Sequence, residues 1–353
     1  VTPPQALPVL VPGLAPVPAA EASANAGALV DHPSGYLALS PRNRTFGVLG
    51  LPGFVAFRRR GRHLFAFGGV HAATDAAAGV VLDAFLREAA ARGLRVAAVQ
   101  VREAQVGLFR SRGFVVNQLG SSFSLDLRGF SMAGTRRMKL RNRIKRARQA
   151  GVRVLEVGRD LAAGADVFAE LGAVSDAWLR AKRKRELDFM IGELGGAGDA
   201  HRRVFIAEGP HPDPARAGRG ERALLGFITY VPAWGRRPGW LHDLTRRVPA
   251  APAGVMELIN AVAMERLAAE GAAFLHFGFT PFVVDAAPEP GASRALAAAV
   301  RLVGRWGGAL YPARAQLQYK LKWAPDIVER EYVACKPLSL RAIWDLLRLT
   351  RSL

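Results

Sequence analysis

Two stretches of this chain follow the same plan: VVLDAFLREAAARGLRVAAVQV (80–101) and MELINAVAMERLAAEGAAFLHFGF (256–279). In each, apolar residues at helical spacing give way at one glycine, Gly93 or Gly271, to an apolar run of strand type. A helix joined so tightly to a buried strand must pack back on it, so each stretch calls for a helix layer on a sheet. Several strand-like runs precede each one in similar order. The chain therefore reads as α/β (α+β), with one structural unit duplicated in tandem.

The remaining periodicities divide the chain into blocks. Residues 1–34, with six prolines in the first 18, read as a flexible Pro/Ala-rich leader. Residues 35–130 form a first unit. It has two strands around the arginine-rich turn of FVAFRRRGRHLFAFGG (54–69), a helix over 77–94, the strand 95–101, a short helix at 104–114 and a strand pair in FVVNQLGSSFSLDL (114–127). A basic helix occupies 131–151. The second unit, 152–335, holds VRVLEV, a helix over 160–185 ending in RAKRKR, the strands RVFIAEG, ALLGFITYVP and GWLHDLT, and the second helix–glycine–strand stretch. The last block, 336–353, is an amphipathic helix carrying Ile343, Trp344, Leu346 and Leu347. It reads either as a closing helix on the core or as an interfacial helix on anionic lipid.

Charge narrows the partners. There are 49 Lys plus Arg against 29 Asp plus Glu, a net charge of +20, which favours polyanions such as nucleic acid or anionic membrane. An arginine-rich composition explains part of this excess but not its clustering. GTRRMKLRNRIKRARQAGV (134–152) holds eight Lys or Arg and no acidic residue. On a helix, Leu140, Ile144, Ala147 and Gly151 line one narrow face. Arg136, Arg137, Lys139, Arg141, Arg143, Lys145, Arg146 and Arg148 cover the rest. Like charges at i,i+4 destabilise such a helix, and a bound polyanion would offset that repulsion. The alternative is a merely solvated face, which ordinarily mixes signs.

Other chemistries find no anchor. One cysteine, Cys335, excludes an internal disulfide and a cysteine-based zinc site. The seven histidines contain no i,i+4 pair, so no metal site is legible and no metal or cofactor is expected. No apolar run approaches the length needed to span a bilayer. No Walker loop, GxGxxG or GxSxG occurs. The strongest local signal is LHDLTRRVPAAPAGVMEL (241–258): Asp243 on a strand, Arg246 just beyond, then a loop into a helix bearing Glu257. An acid where a strand opens into a loop suits a cationic amine or a proton transfer. A structural Asp–Arg pair fits the same residues.

Five segments, FSMAGTRRMKLRNRIKRARQAG, VSDAWLRAKRKRELDFMIG, HDLTRRVPAAPAGVMEL, FLHFGFTPF and YKLKWAPDIVEREYVA, occur in the order and spacing of one family. Over residues 32–345 the chain resembles the catalytic domain of aminoacyl-phosphatidylglycerol synthases, the phosphatidylglycerol lysyltransferase-like C-terminal domain of multiple-peptide-resistance-factor proteins. The resemblance implies two tandem GNAT-like acyltransferase folds linked by a basic helix. It also implies transfer of an amino acid (Lys, Arg or Ala) from aminoacyl-tRNA to a lipid hydroxyl such as that of phosphatidylglycerol, without cofactor. Asp243, Arg246 and Lys320 fall on the catalytic positions of "DLTR" and "YKxK". Glu257, Glu329, Phe279 and Tyr319 fall on the substrate site, and Arg136, Arg137, Lys139, Arg141, Arg143, Lys145 and Arg148 become the tRNA or phosphate contacts.

Against the family pattern, no N-terminal multi-helix flippase is expected for this chain, GSS (120–122) stands where a Gly-Glu pair is common, and in EREY Glu331 replaces a basic residue. These departures open the acceptor to sterols, small metabolites or peptides. The resemblance implies one-step transfer with Asp243 on the α-ammonium and Arg246 or Lys320 at the developing oxyanion or leaving oxygen. It places the protein in the cytoplasm, peripheral on the membrane, with FRRRGRH and the C-terminal helix as contact surfaces. Two competitors remain: an acetyl-CoA N-acyltransferase, whose pyrophosphate loop is not legible, and a non-catalytic RNA- or membrane-binding protein.

Overall fold

A computed structural model describes residues 26–182, 201–285, 290–306 and 313–350, with Phe189 and Gly192. Eleven strands form one sheet. In chain order they are β1 (Arg44–Gly47), β2 (Gly53–Arg60), β3 (His63–Ala72), β4 (Arg95–Arg102), β5 (Val115–Asp126), β6 (Arg153–Glu156), β7 (Arg203–Pro210), β8 (Arg222–Ala233), β9 (Gly239–Arg247), β10 (Phe274–Pro281) and β11 (Ile327–Lys336). The longer helices are α1 (Asp75–Ala91), α2 (Val106–Arg110), α3 (Met138–Gln149), α4 (Ala165–Lys182), α5 (Val255–Ala269), α6 (Arg294–Trp306), α7 (Ala313–Leu321) and α8 (Leu340–Leu349).

The strand order, β1-β2-β3-β4-β11-β5-β10-β9-β8-β7-β6, reads as two halves related about the β11–β5 pair. β3/β4 and β9/β10 are parallel, and every other ladder is antiparallel. Each parallel pair is bridged by a crossover helix, α1 packing on β2, β3 and β4 and α5 on β7, β8 and β9. Thr74 caps α1, its hydroxyl accepting from the Ala77 N–H at 3.2 Å. Val81, Leu82 and Phe85 of α1 are buried on the sheet, each contributing about 2 kcal/mol by removal from water. The α/β class with two halves of like design is the architecture observed.

The final strand of each half crosses over. β5 pairs with β10 of the second half, and β11 pairs with β4 of the first. The two then pair with each other from Ile327↔Ser124 to Cys335↔Val115, so neither half closes its sheet alone. The strand pair expected within 114–127 is instead one continuous strand, β5. Gly120 lies inside this strand, where a Cβ would stand 2.3 Å from the Thr280 carbonyl oxygen and 2.6 Å from the Phe279 ring.

Of the expected leader, residues 1–25 lie outside the described residues. From Ala26 onward the chain is packed: Val30, His32 and Ser34 are buried, and Tyr36, Leu37 and Ala38 belong to the core. Pro and Ala content did not anticipate this, because the segment is held by burial and not by periodicity. The end of RAKRKR, 183–185, also lies outside the described residues. Among the described residues no helix is long and apolar enough to cross a membrane, and no three His, Cys, Asp or Glu side chains converge to hold a metal ion.

Candidate active site

β9 and β10 pair only from Gly239–Leu241 to Phe274–His276 and then separate. A bulge on β9 sets the divergence: Tyr230 of β8 faces His242 while Ile228 faces Thr245, so Asp243 and Leu244 together oppose Thr229. Most of the predicted catalytic and substrate residues lie around this gap, divided between the two faces of the sheet. Thr229 and Tyr230, consecutive on β8, mark those faces.

On the Thr229 face, the Asp243 side chain is 3% exposed and ion-paired with Arg202, whose Nη1 donates to Oδ2 at 2.5 Å. The Gly192 N–H donates to Oδ1 at 3.0 Å. The same guanidinium donates to Thr229 Oγ1 at 2.9 Å, which also accepts from the Leu244 N–H. Both carboxylate oxygens are thus engaged within the protein, and the structure contains the Asp–Arg pair that the sequence left open, with Arg202 as partner in place of Arg246. Arg246 is buried with its guanidinium 4.4 Å from the ring of Trp178 on α4, and it donates to the Thr245 carbonyl at 3.1 Å.

On the Tyr230 face lie Lys320, Tyr319, Glu257 and His242. Lys320 Nζ donates to the carbonyls of Gly278 at 2.7 Å and Phe279 at 3.0 Å, on the part of β10 beyond its pairing with β9. Burial pulls its ammonium down to about 7, and nearby Glu331 opposes that fall. His242 sits among Tyr230, Phe277 and Tyr319, ring centroids 5.5, 5.7 and 5.8 Å away. Burial, reinforced by the Lys320 charge, pushes the imidazole down to about 3, so it is neutral at ordinary pH. Its Nε2 lies 2.6 Å from Thr245 Oγ1, and its Nδ1 has no hydrogen-bond partner among the described residues. Tyr319 OH donates to the Met256 carbonyl at 3.4 Å. Phe279 covers Gly120.

The acidic positions behave differently from one another. Glu257 is buried against Lys322 Nζ at 2.9 Å and Arg143 Nη1 at 3.5 Å. Glu329 accepts from Arg102 at 2.5 Å and Arg237 at 2.8 Å, fastening β11 to both halves. Glu331 is 2% exposed; its Oε1 accepts from Ser122, while Oε2 has no partner among the described residues. Thr280 Oγ1 on β10 is likewise buried without one. Such orphaned groups are rare in native interiors.

The basic helix is shorter than expected: α3 runs Met138–Gln149, and Gly151, placed on its apolar face by spacing, lies beyond its end at φ +74°. Leu140, Ile144 and Ala147 are buried as expected. Not every cation faces outward. Arg137 donates to the Ser131 and Trp323 carbonyls, Arg141 to those of Met132 and Gly134, and Arg143 pairs with Glu257. Arg136, Lys139, Lys145 and Arg148 are exposed. Gly254, at φ +95°, lets α5 start hard against α3, since a Cβ there would stand 2.1 Å from the Arg143 carbonyl oxygen.

Arg202, His242 and Trp178 escaped sequence reasoning. His242 carried a usable signal, being adjacent to Asp243 in HDLTR. Arg202, 41 residues from Asp243, carried none.

Residues 26–335 match the family described as phosphatidylglycerol lysyltransferase, C-terminal. The chain belongs to this family. It is 33% identical over 178 residues to the lysylphosphatidylglycerol biosynthesis bifunctional protein LysX of Nocardia farcinica, covering 50% of this chain and 15% of that protein. To LysX of Mycobacterium tuberculosis it is 27% identical over 252 residues, 69% of this chain and 20% of that protein. The chain thus spans a fifth or less of the curated relatives it matches.

Two solved structures share the family fold. The C-terminal domain of a proposed lysylphosphatidylglycerol synthetase from Agrobacterium fabrum superposes with TM-score 0.73 at 20% identity, covering 93% of this chain and 94% of that one. L-PGS from Bacillus licheniformis gives 0.69 at 20% identity, covering 90% and 91%.

Proposed function

We propose that this member of the family transfers an aminoacyl group from aminoacyl-tRNA to a hydroxyl of an anionic lipid such as phosphatidylglycerol, in the β9–β10 gap. The observation that carries this reading is Lys320, a buried amine pulled to near-neutral pKa at the edge of that gap. A neutral amine has two N–H groups and one lone pair. With the N–H groups on the Gly278 and Phe279 carbonyls, the lone pair is left to take a proton.

The ester of aminoacyl-tRNA is already activated. The acceptor oxygen bonds to the aminoacyl carbonyl carbon, the bond to the terminal ribose oxygen breaks, and the acceptor's proton ends on that ribose oxygen. Lys320 carries the proton between them, a role worth about a hundredfold or more in rate. Glu331 Oε2, near Lys320 and without a hydrogen-bond partner among the described residues, is the carboxylate we assign to the substrate's ammonium or hydroxyl. Asp243 already bears a guanidinium, so we assign it to positioning Arg202 and the β9 bulge. Arg246, stacked on Trp178, is the cation on the Thr229 face for the leaving oxygen. The exposed Arg136, Lys139, Lys145 and Arg148 of the α3 segment are assigned to tRNA phosphates, and the chain to the cytoplasmic face of the membrane.

The test is purified protein with labelled aminoacyl-tRNAs and phosphatidylglycerol vesicles, followed by extraction of the lipid phase. A labelled, alkali-labile lipid is expected, and the label identifies the amino acid. Faster tRNA deacylation than in a Lys320→Met variant, with no lipid product, would keep the donor and move the acceptor to a soluble hydroxyl or amine. Neither signal would defeat the reading.

A further inference from the structure

At the other end of the first half's strands, around the β2–β3 turn, lies a cleft of roughly 700 Å³. Seven arginines line it: Arg42 and Arg44 at the start of β1, Arg58 to Arg60 on β2, and Arg341 and Arg348 on α8. One carboxylate joins them, Asp345, and it already lies 2.7 Å from His63 Nδ1. Trp344 completes the lining, 49% exposed, with the Arg348 guanidinium 5.6 Å from its ring. The cleft draws on two segments 280 residues apart, which the sequence offered only as separate candidate surfaces. It stands five strand positions from β10, about 24 Å from the gap at usual strand spacing.

The wall is firmly built. Ser339 caps α8, its hydroxyl accepting from the Ala342 N–H at 3.2 Å. Ile343, Leu346 and Leu349 pack on the first-half core, which leaves Trp344, Arg341 and Arg348 on the cleft side. Arg58 is held by Asn43, to which its Nε donates at 2.7 Å.

We propose that this cleft docks the phosphodiester headgroups of an anionic bilayer and seats the protein on the membrane. Guanidinium forks match phosphate oxygens in pairs, and this many in one bowl with one engaged carboxylate is a strongly cationic site. An exposed tryptophan beside arginines on an amphipathic helix suits the headgroup level of a bilayer. An RNA strand would want an extended track with successive stacking platforms, and this is a single bowl with one aromatic at its rim. The surface extends the lipid half of the function proposed above but is read from the cleft alone, so docking and transfer stand or fall separately.

The experiment is sedimentation of the whole protein with vesicles of equal phosphatidylglycerol and phosphatidylcholine, and with phosphatidylcholine alone. The variants are Arg59→Gln/Arg60→Gln and, as a second pair, Arg44→Gln/Arg348→Gln, each checked by thermal melting; all four positions are exposed. Wild type should bind only the anionic vesicles, and each double variant should bind roughly thirtyfold more weakly while retaining tRNA on filters. Lys320→Met should bind vesicles like wild type whether or not it transfers. Equal vesicle binding by wild type and both folded variants overturns the proposal. So does loss of tRNA retention with vesicle binding intact, which would make the cleft an RNA site.

Discussion

The two halves open their sheets at matching places, but they treat the opening differently. In the first half, β3 and β4 pair only from His63–Phe67 to Arg95–Val99, and the space beyond is filled by the chain itself. His71 Nε2 lies 3.1 Å from the Phe67 carbonyl and His32 Nε2 3.0 Å from that of Gln100. Gln105 accepts from the Val70 N–H at 3.0 Å and donates to its carbonyl at 2.5 Å. In the second half, the corresponding space holds an amine pulled to about 7 and, without a hydrogen-bond partner among the described residues, the His242 Nδ1 and the Thr280 hydroxyl. The first gap is closed largely by its own hydrogen bonds, although Gln100 Oε1 there is also buried without a partner among the described residues; the second keeps an imidazole nitrogen and a threonine hydroxyl unspent beside the Lys320 amine. In the function proposed above, equivalent architecture serves as scaffold on one side and as the reacting site on the other.

Breaking each gap should therefore have different consequences. The largest effect is expected from Arg202→Met, which strands Asp243 as a buried charge and should cost about 3–5 kcal/mol in urea unfolding. An accompanying Asp243→Asn should recover most of that loss. Lys320→Met should lower transfer about a hundredfold in initial-rate assays compared per folded molecule, because the Gly278 and Phe279 carbonyls left without their donor offset what removal of a buried amine gains in stability. In the closed gap the opposite split is expected. Gln105→Ala should cost about 2 kcal/mol by leaving both Val70 backbone groups unpaired, and transfer per folded molecule should stay within about twofold.

The last effect is a pH slope in stability. Burial holds His71 and His276 down to about 4 and His242 to about 3, so between those values and 6.5 the unfolded chain binds more protons. Stability should rise with pH across that window, by about 1 kcal/mol per pH unit for each histidine, and be fully present above 6.5. His71→Gln should remove one such share from the slope measured by melting.

Much of the scaffold was legible locally. Gly93 and Gly271 do end their helices at positive φ, +62° and +88°, and the strands after them are β4 and β10. Leu140, Ile144 and Ala147 were correctly read as the buried face of the basic helix. Misreadings arose where a residue's neighbour lies far away in the chain. The run 114–127 reads as a strand pair until Phe279 and Thr280 are seen against Gly120, and the exchange of β5 and β11 follows from pairing across about 200 residues, for which periodicity gives no sign. In the site, Asp243 and Lys320 stood out by motif, but that Asp243 is neutralised by Arg202 and that Lys320 is buried on the opposite face depends on tertiary packing.

The most direct test of the central claim, that Lys320 moves the proton in the second gap, is the pH dependence of single-turnover aminoacyl transfer in wild type and Lys320→Met. With neutral Lys320 as the proposed active form, the wild-type rate should climb through about pH 7 and level off above it, and the variant's residual rate should lack that inflection. A Lys320→Met enzyme with wild-type rate, or a wild-type profile flat through pH 7, would contradict the account.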